Sequence, residues 1–203
     1  TYIGDPANNV KTQTFDSLGR QVGMHDPNAG DWTFDYDAAG NLVHYRDANG
    51  NDLYYGYDPA NRLLWERHGL ATAADDVAYH YDAPFKLAGG AGQAPNGAPQ
   101  HFVLGRLAWV EDQSGQRFSS FDERGRQALD IRTLDGATFY TRGRDYDDLD
   151  RELAHTYPDG EVVQYAYSPR GLLEQVGGYV TQLDYNAAGQ RVRRVLGDGK
   201  ATT

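Results

Sequence analysis

The sequence is 203 residues long with a formal net charge of −10. That is enough chain for one sizeable core or one repeat array, and the wrong sign for nucleic-acid phosphates or an anionic membrane surface. There is no cysteine, hence no disulfide and no thiolate chemistry, and no run approaches the roughly 18 apolar residues of a spanning helix. Only 39% of residues are hydrophobic, yet 15 Tyr, 7 Phe and 3 Trp argue against disorder and for half-buried strands. Of the acidic residues 23 are Asp and 6 are Glu, alongside 24 Gly. Asp caps turns through its short side chain, so this is the composition of a chain with many tight turns.

The opening Thr1-Tyr2-Ile3-Gly4-Asp5-Pro6 has no basic-then-apolar leader and reads as the interior of something longer. An aromatic followed by Asp then recurs along the chain, at Phe15-Asp16, Tyr36-Asp37, Tyr57-Asp58, Tyr81-Asp82, Phe121-Asp122 and Tyr146-Asp147, with variants at Tyr167-Ser168 and Tyr185-Asn186. The spacings are 21, 21, 24, 40, 25, 21 and 18 residues, a repeat with one large insertion. Three copies continue to Gly at the fourth turn position (Gly19, Gly40, Gly125), where chance supplies about 0.3 such strings. Gly171 and Gly189 keep the same frame behind Ser168 and Asn186.

Asp at i and Gly at i+3 is the pattern of a type I turn whose last residue is left-handed, joining antiparallel strands through a bulge. The expected turns are Asp16–Gly19, Asp37–Gly40, Asp122–Gly125 and Asn186–Gly189, with Asn61 in the left-handed place after Asp58-Pro59-Ala60. A second turn follows about ten residues on, at Asp26–Gly30, Asp47–Gly50, Asp112–Gly115, Leu134-Asp135-Gly136 and Pro158-Asp159-Gly160. Strands between them alternate with period two: Trp32, Phe34 and Tyr36 share a face, as do Leu53, Tyr55 and Tyr57, then Val77, Tyr79 and Tyr81, then Val163, Tyr165 and Tyr167. Stacked hairpins are expected to align the tyrosines of the repeat into cross-strand ladders. The long interval holds a Gly/Ala/Pro-rich insertion at about 83–100, including Gly89-Gly90-Ala91-Gly92, expected to protrude from the sheet as a mobile loop.

Strings such as Phe34-Asp35-Tyr36-Asp37-Ala38-Ala39-Gly40-Asn41-Leu42, Leu104-Gly105-Arg106-Leu107 and Tyr157-Pro158-Asp159-Gly160 resemble YD/Rhs repeats, those of bacterial Rhs proteins and the B and C components of Tc toxins, and more distantly teneurins. The resemblance covers about Phe15 to Gly199. It implies an all-β fold of tandem antiparallel hairpins coiling into a strip, part of a hollow shell that encloses a C-terminal toxin. It also implies a secreted or cell-surface bacterial location. Residues 1–203 are read as a single repeat array, a fragment of a longer protein. Its expected partners are neighbouring repeats, an encapsulated toxin domain, and further β-structure meeting its unpaired edges, including a second copy of itself. Family members with cargo carry Asp-Pro-x-Gly at an autocleavage site. Here Asp5-Pro6, Asp26-Pro27 and Asp58-Pro59 all lack that glycine, so autocleavage is not carried over.

The residue patterns offer little chemistry. His25, His44, His68, His80, His101 and His155 are scattered and lack metal spacing. Asp47-Ala48-Asn49-Gly50-Asn51-Asp52 has oxygen ligands at EF-hand positions 1, 3 and 5, but lacks the glycine at 6 and has Asp58 in place of glutamate at 12. Asp145-Tyr146-Asp147-Asp148-Leu149-Asp150 has the acid density without the spacing. Ser17, Ser114, Ser119, Ser120 and Ser168 stand in no nucleophile elbow. No cofactor, catalytic residue or metal is expected, and the chain reads as structural rather than enzymatic. The alternative is a carbohydrate- or surface-binding module using exposed aromatics such as Trp32 and Trp65.

Overall fold

The computed structural model describes residues 2–4, 10–71, 74–85, 94, 97–134 and 138–202. Every regular element among them is a β-strand and every pairing is antiparallel, as the alternation and turn spacing require. The expected turn at Asp135-Gly136, the pair Asp5-Pro6 and the string Gly89–Gly92 lie outside the described residues.

The chain divides into two compact units, residues 1–80 with 110–113, and residues 81–109 with 114–203. The first unit carries β1 (Tyr2–Gly4), β2 (Val10–Phe15), β3 (Gln21–Asp26), β4 (Gly30–Tyr36), β5 (Leu42–Arg46), β6 (Asp52–Tyr57), β7 (Leu63–His68) and most of β8 (Val77–Tyr81), each hydrogen-bonded to the next. β9 (Leu107–Asp112) contributes residues to both units. The second unit holds β10 (Gly115–Phe121), β11 (Gln127–Leu134), β12 (Thr138–Tyr146), β13 (Glu152–Thr156), β14 (Val162–Tyr167), β15 (Leu173–Val176), β16 (Val180–Tyr185), β17 (Arg191–Leu196) and β18 (Ala201–Thr202), again a meander.

Seven of the strands that end in the repeat aromatic have a register shift at that residue, at Phe15, Tyr36, Tyr57, Phe121, Tyr146, Tyr167 and Tyr185. This is the expected bulge, and it adds local twist to the hairpins closed by these corners. The period-two faces are visible directly: along β4 Trp32, Phe34 and Tyr36 are half-buried while Asp31, Thr33 and Asp35 are exposed. In the first unit Leu53 is the buried hydrophobic residue, beside a ladder in which Trp32 stacks on Tyr45 at 5.8 Å between centroids and Tyr45 meets Tyr55 at 6.3 Å. The ladder therefore runs through Tyr45 rather than from one YD tyrosine to the next. Successive YD tyrosines are separated by an intervening strand, and each has another partner.

The insertion also departs from expectation where it is described. Ala94 is fully buried with Phe118 and Ile131, and Phe85, Ala98, Trp109 and Leu129 pack against them. Phe85 meets Trp109 and Phe118 edge-on at 5.0 and 5.2 Å. Gln100, 7% exposed, accepts from the Phe85 N–H through Oε1 and donates through Nε2 to the carbonyls of Ala108 and Ser119. His101 follows, donating its N–H to the Ser120 hydroxyl and accepting from the Phe121 N–H. Both described limbs are thus packed and hydrogen-bonded rather than protruding, because alanines and one amide side chain fill a space that the single sheet leaves open.

Candidate functional site

The site the sequence singles out is the repeat corner. At Asp16 the Gly19 N–H donates to the main-chain carbonyl (3.1 Å), closing the turn, and the Asp16 N–H donates to the carbonyl of Arg20. The carboxylate does the rest: Oδ1 accepts the N–H groups of Leu18 and Arg20, and Oδ2 accepts Arg20 Nε at 2.7 Å. The same set recurs at Asp58 with Arg62, Asp122 with Arg126, and Asp147 with Arg151. At Asp37 the amide of Asn41 takes the guanidinium's place. Ser168 and Asn186 keep the turn through Leu172 and Gln190. The left-handed position is Gly at 19, 40, 125, 171 and 189, Asn61 (φ 60°) and, unanticipated, Asp150 (φ 64°). Asp and Asn tolerate that region better than other side-chain-bearing residues.

These bonds hold the turn carboxylates below the usual carboxylate range. For Asp16 and Asp58 the largest cause is the N–H of Arg20 and Arg62, and for Asp37 the Asn41 amide. At Asp122 and Asp147 burial pushes upward, and the main-chain and guanidinium bonds of Arg126 and Arg151 outweigh it.

The corner also reaches into the next repeat. Arg20 lies over the Tyr36 ring (4.8 Å) and donates to the Asp37 carbonyl, while the Tyr36 hydroxyl donates back to the Gln21 carbonyl. Arg126 lies over Tyr146 (4.7 Å) and donates to the Asp147 carbonyl and Asp150 carboxylate, and Tyr146 donates to Gln127. Arg151 lies over Tyr167, which donates to Glu152. Tyr57 and Tyr185 donate to Leu42 and Leu173. Tyr36, Tyr146 and Tyr167 are therefore each clamped by the arginine and the strand of the repeat before, and Tyr57 and Tyr185 are held by the preceding strand. The YD residues were legible in the sequence; the arginine four positions after Asp was not assigned a role, although its fixed offset at 20, 62, 126 and 151 is visible there.

Tyr81-Asp82 is the instructive exception. Asp82 takes φ 67°, its N–H donates to the carbonyl of Arg106, and its carboxylate accepts the Gly105 N–H. Arg106 lies over Phe121 at 5.3 Å, as Arg20 lies over Tyr36. Gly105 and Arg106 therefore stand where Gly19 and Arg20 stand, but 23 rather than 3 positions separate Asp82 from its glycine. The insertion lies within the corner itself, a place sequence reading did not give it.

Among the scattered histidines, His25, His44, His68, His80 and His155 each face a carboxylate. His44 is held between Asp35 and Asp52 at 2.9 Å on each side. Burial opposes its protonation, but the two carboxylates prevail and raise its pKa. Both oxygens of Asp47, first in the EF-hand-like string, are engaged by Asn49 and Asn51 within the turn. No group of three or more His, Asp or Glu suited to a metal occurs among the described residues.

The RHS Repeat family model matches residues 15–52, 36–74 and 146–177, and these stretches are RHS (YD) repeats. Among solved structures it is similar to the TcdB2-TccC3 complex without its hypervariable C-terminal region (TM-score 0.73, 17% identity) and to TcdB2-TccC3 with Cdc42 (TM-score 0.69, 17% identity), covering in each 98% of this chain. A third is the Photorhabdus luminescens Tc holotoxin pore carrying a TccC3 mutation (TM-score 0.69, 16% identity, 97% of this chain). At these identities the likeness is one of fold. The chain spans 11–12% of the length of those chains. No curated protein matches the sequence.

Proposed function

We propose that the chain is a stretch of shell wall, and that in its parent protein it helps to enclose a C-terminal toxin segment delivered outside the producing cell. The observation that carries this reading is the clamp between repeats. Its carboxylates, guanidinium groups and hydroxyls are satisfied by one another and by main-chain groups, which suits a wall and leaves little for catalysis. Its role is mechanical, and the chain itself turns over no substrate. The test uses the parent protein. While the repeats are folded, a segment C-terminal to them should resist added protease, and substituting Arg126 and Arg151 together should expose it. Cleavage of that segment at equal rates in the folded and urea-unfolded protein would refute encapsulation.

A further inference from the structure

The packed insertion fixes what the far side of its sheet presents. On one face of β10 and β11, Phe118, Ser120, Ile131 and Thr133 are buried, Phe118 and Ile131 against Ala94 of the insertion. Strand alternation sends Arg117, Asp130 and Arg132 to the other face. Register carries that face onward. Arg117 stands directly opposite Arg132, Asp130 opposite Arg142, and Arg144 opposite His155, which in turn pairs with Val163. The face that bears Val163 and Tyr165 on β14 therefore bears arginines on β10, β11 and β12.

Arg117, Arg132 and Arg142 share one carboxylate. Arg117 donates to it from Nε at 2.8 Å and from Nη2 at 3.1 Å, engaging both oxygens of Asp130. Arg132 and Arg142 are exposed, and their side chains form no hydrogen bond or ion pair among the described residues. Like charges directly opposite each other destabilise a strand pair, so an anion placed between Arg117 and Arg132 would offset that repulsion. The chain as a whole carries −10, and Glu152, 4.0 Å from Arg144, bounds the patch toward β13. A long polyanion would overrun the arginines into negative surroundings, whereas a short acidic segment would not. Strands about 4.8 Å apart place Arg117 and Arg142 roughly 10 Å from each other across the sheet, the reach of about three extended residues. Alternate side chains of an extended segment point the same way, so carboxylates two positions apart can meet successive arginines. The guanidinium plane takes a carboxylate through two bonds, as Arg117 already takes Asp130. We propose that Arg117, Arg132 and Arg142 form a docking site for an acidic, extended segment of a partner polypeptide.

The test is fluorescence anisotropy at low salt on the 203-residue chain with a labelled peptide alternating Asp and Gly. A peptide alternating Asn and Gly and a single-stranded DNA oligonucleotide are run alongside. The Asp peptide should bind, and its binding should weaken as salt is added. Arg132→Gln and Arg142→Gln should each weaken it by about three- to fivefold, the worth of one exposed charge pair, and the double substitution by about tenfold. Neither should lower the melting temperature, because neither side chain has a partner among the described residues to lose. Arg191→Gln, exposed on β17, removes the same charge elsewhere and should leave the affinity within about twofold. The proposal is overturned if the Asp peptide does not bind, if the Asn peptide binds as well, or if the DNA binds more tightly. It is overturned too if Arg132→Gln and Arg142→Gln have no effect, or no more effect than Arg191→Gln.

Discussion

Replacing Gln100 with methionine separates hydrogen bonding from packing at the root of the insertion. Methionine fills a similar volume, so little cavity forms, but three bonds vanish: from the Phe85 N–H, and to the carbonyls of Ala108 and Ser119. Gln100 is 7% exposed and Ala108 is fully buried, so water cannot readily replace the amide at Ala108. A buried polar group left without a partner costs about 1–3 kcal/mol. The bonds at Phe85 and Ser119 are only part-buried, so the combined loss is about 2–4 kcal/mol rather than three full penalties. Urea unfolding measures the total, and hydrogen exchange at the Phe85 amide reads the local effect, which should be a large loss of protection. Gln175→Met, on the exposed part of β15, is the control and should stay within about 0.5 kcal/mol of wild type. If Gln100→Met is equally silent and the Phe85 amide exchanges as before, Gln100 does not hold the insertion in place.

Gly40→Val puts a branched side chain at φ +93° with nothing within 4 Å of its Cβ. The cost is therefore backbone strain of at least about 1–2 kcal/mol, read from the unfolding midpoint. Deleting 94–98 removes Ala94 and Ala98 from the Phe118–Ile131 core and should lower the melting temperature more than Gly40→Val; a smaller drop would contradict the packed insertion. Tyr57→Phe loses the 2.9 Å bond to Leu42 and should cost about 0.5–1.5 kcal/mol in urea unfolding, with no change counting against the clamp. Because the His44 pKa is raised, its contribution is complete below the unfolded value of about 6.5 and fades as pH rises through the folded one. The melting-temperature gap between wild type and His44→Gln should therefore be larger at pH 5.5 than at pH 8. The turn aspartates have lowered pKa values, so their contribution is present above the unfolded pKa and is lost as pH falls below about 4, measurable as the onset of acid unfolding.

What the sequence by itself determined is what depends on neighbours a few residues apart. Asp16 and Gly19 sit three positions apart, and the type I turn, the positive φ and the bulge at Phe15 follow from those residue types alone. The alternation of Trp32, Phe34 and Tyr36 likewise states which face is inward. The tertiary structure decided everything that joins one repeat to another. Arg126 reaches Asp147 across 21 residues, and Tyr36 reaches Gln21 across 15, distances at which residue type names a donor but not its acceptor. The aromatic ladder runs through Tyr45 because strand register, not the YD motif, sets which rings become neighbours. The insertion was the hardest to read. Its Gly/Ala/Pro composition signals a loop, yet small side chains are also what fit beside Phe118 in a close-packed core, and only the fold shows that Ala94 is there. Asp82 meets Gly105 for the same reason: the corner needs its frame closed in space, and the number of residues threaded through it is free.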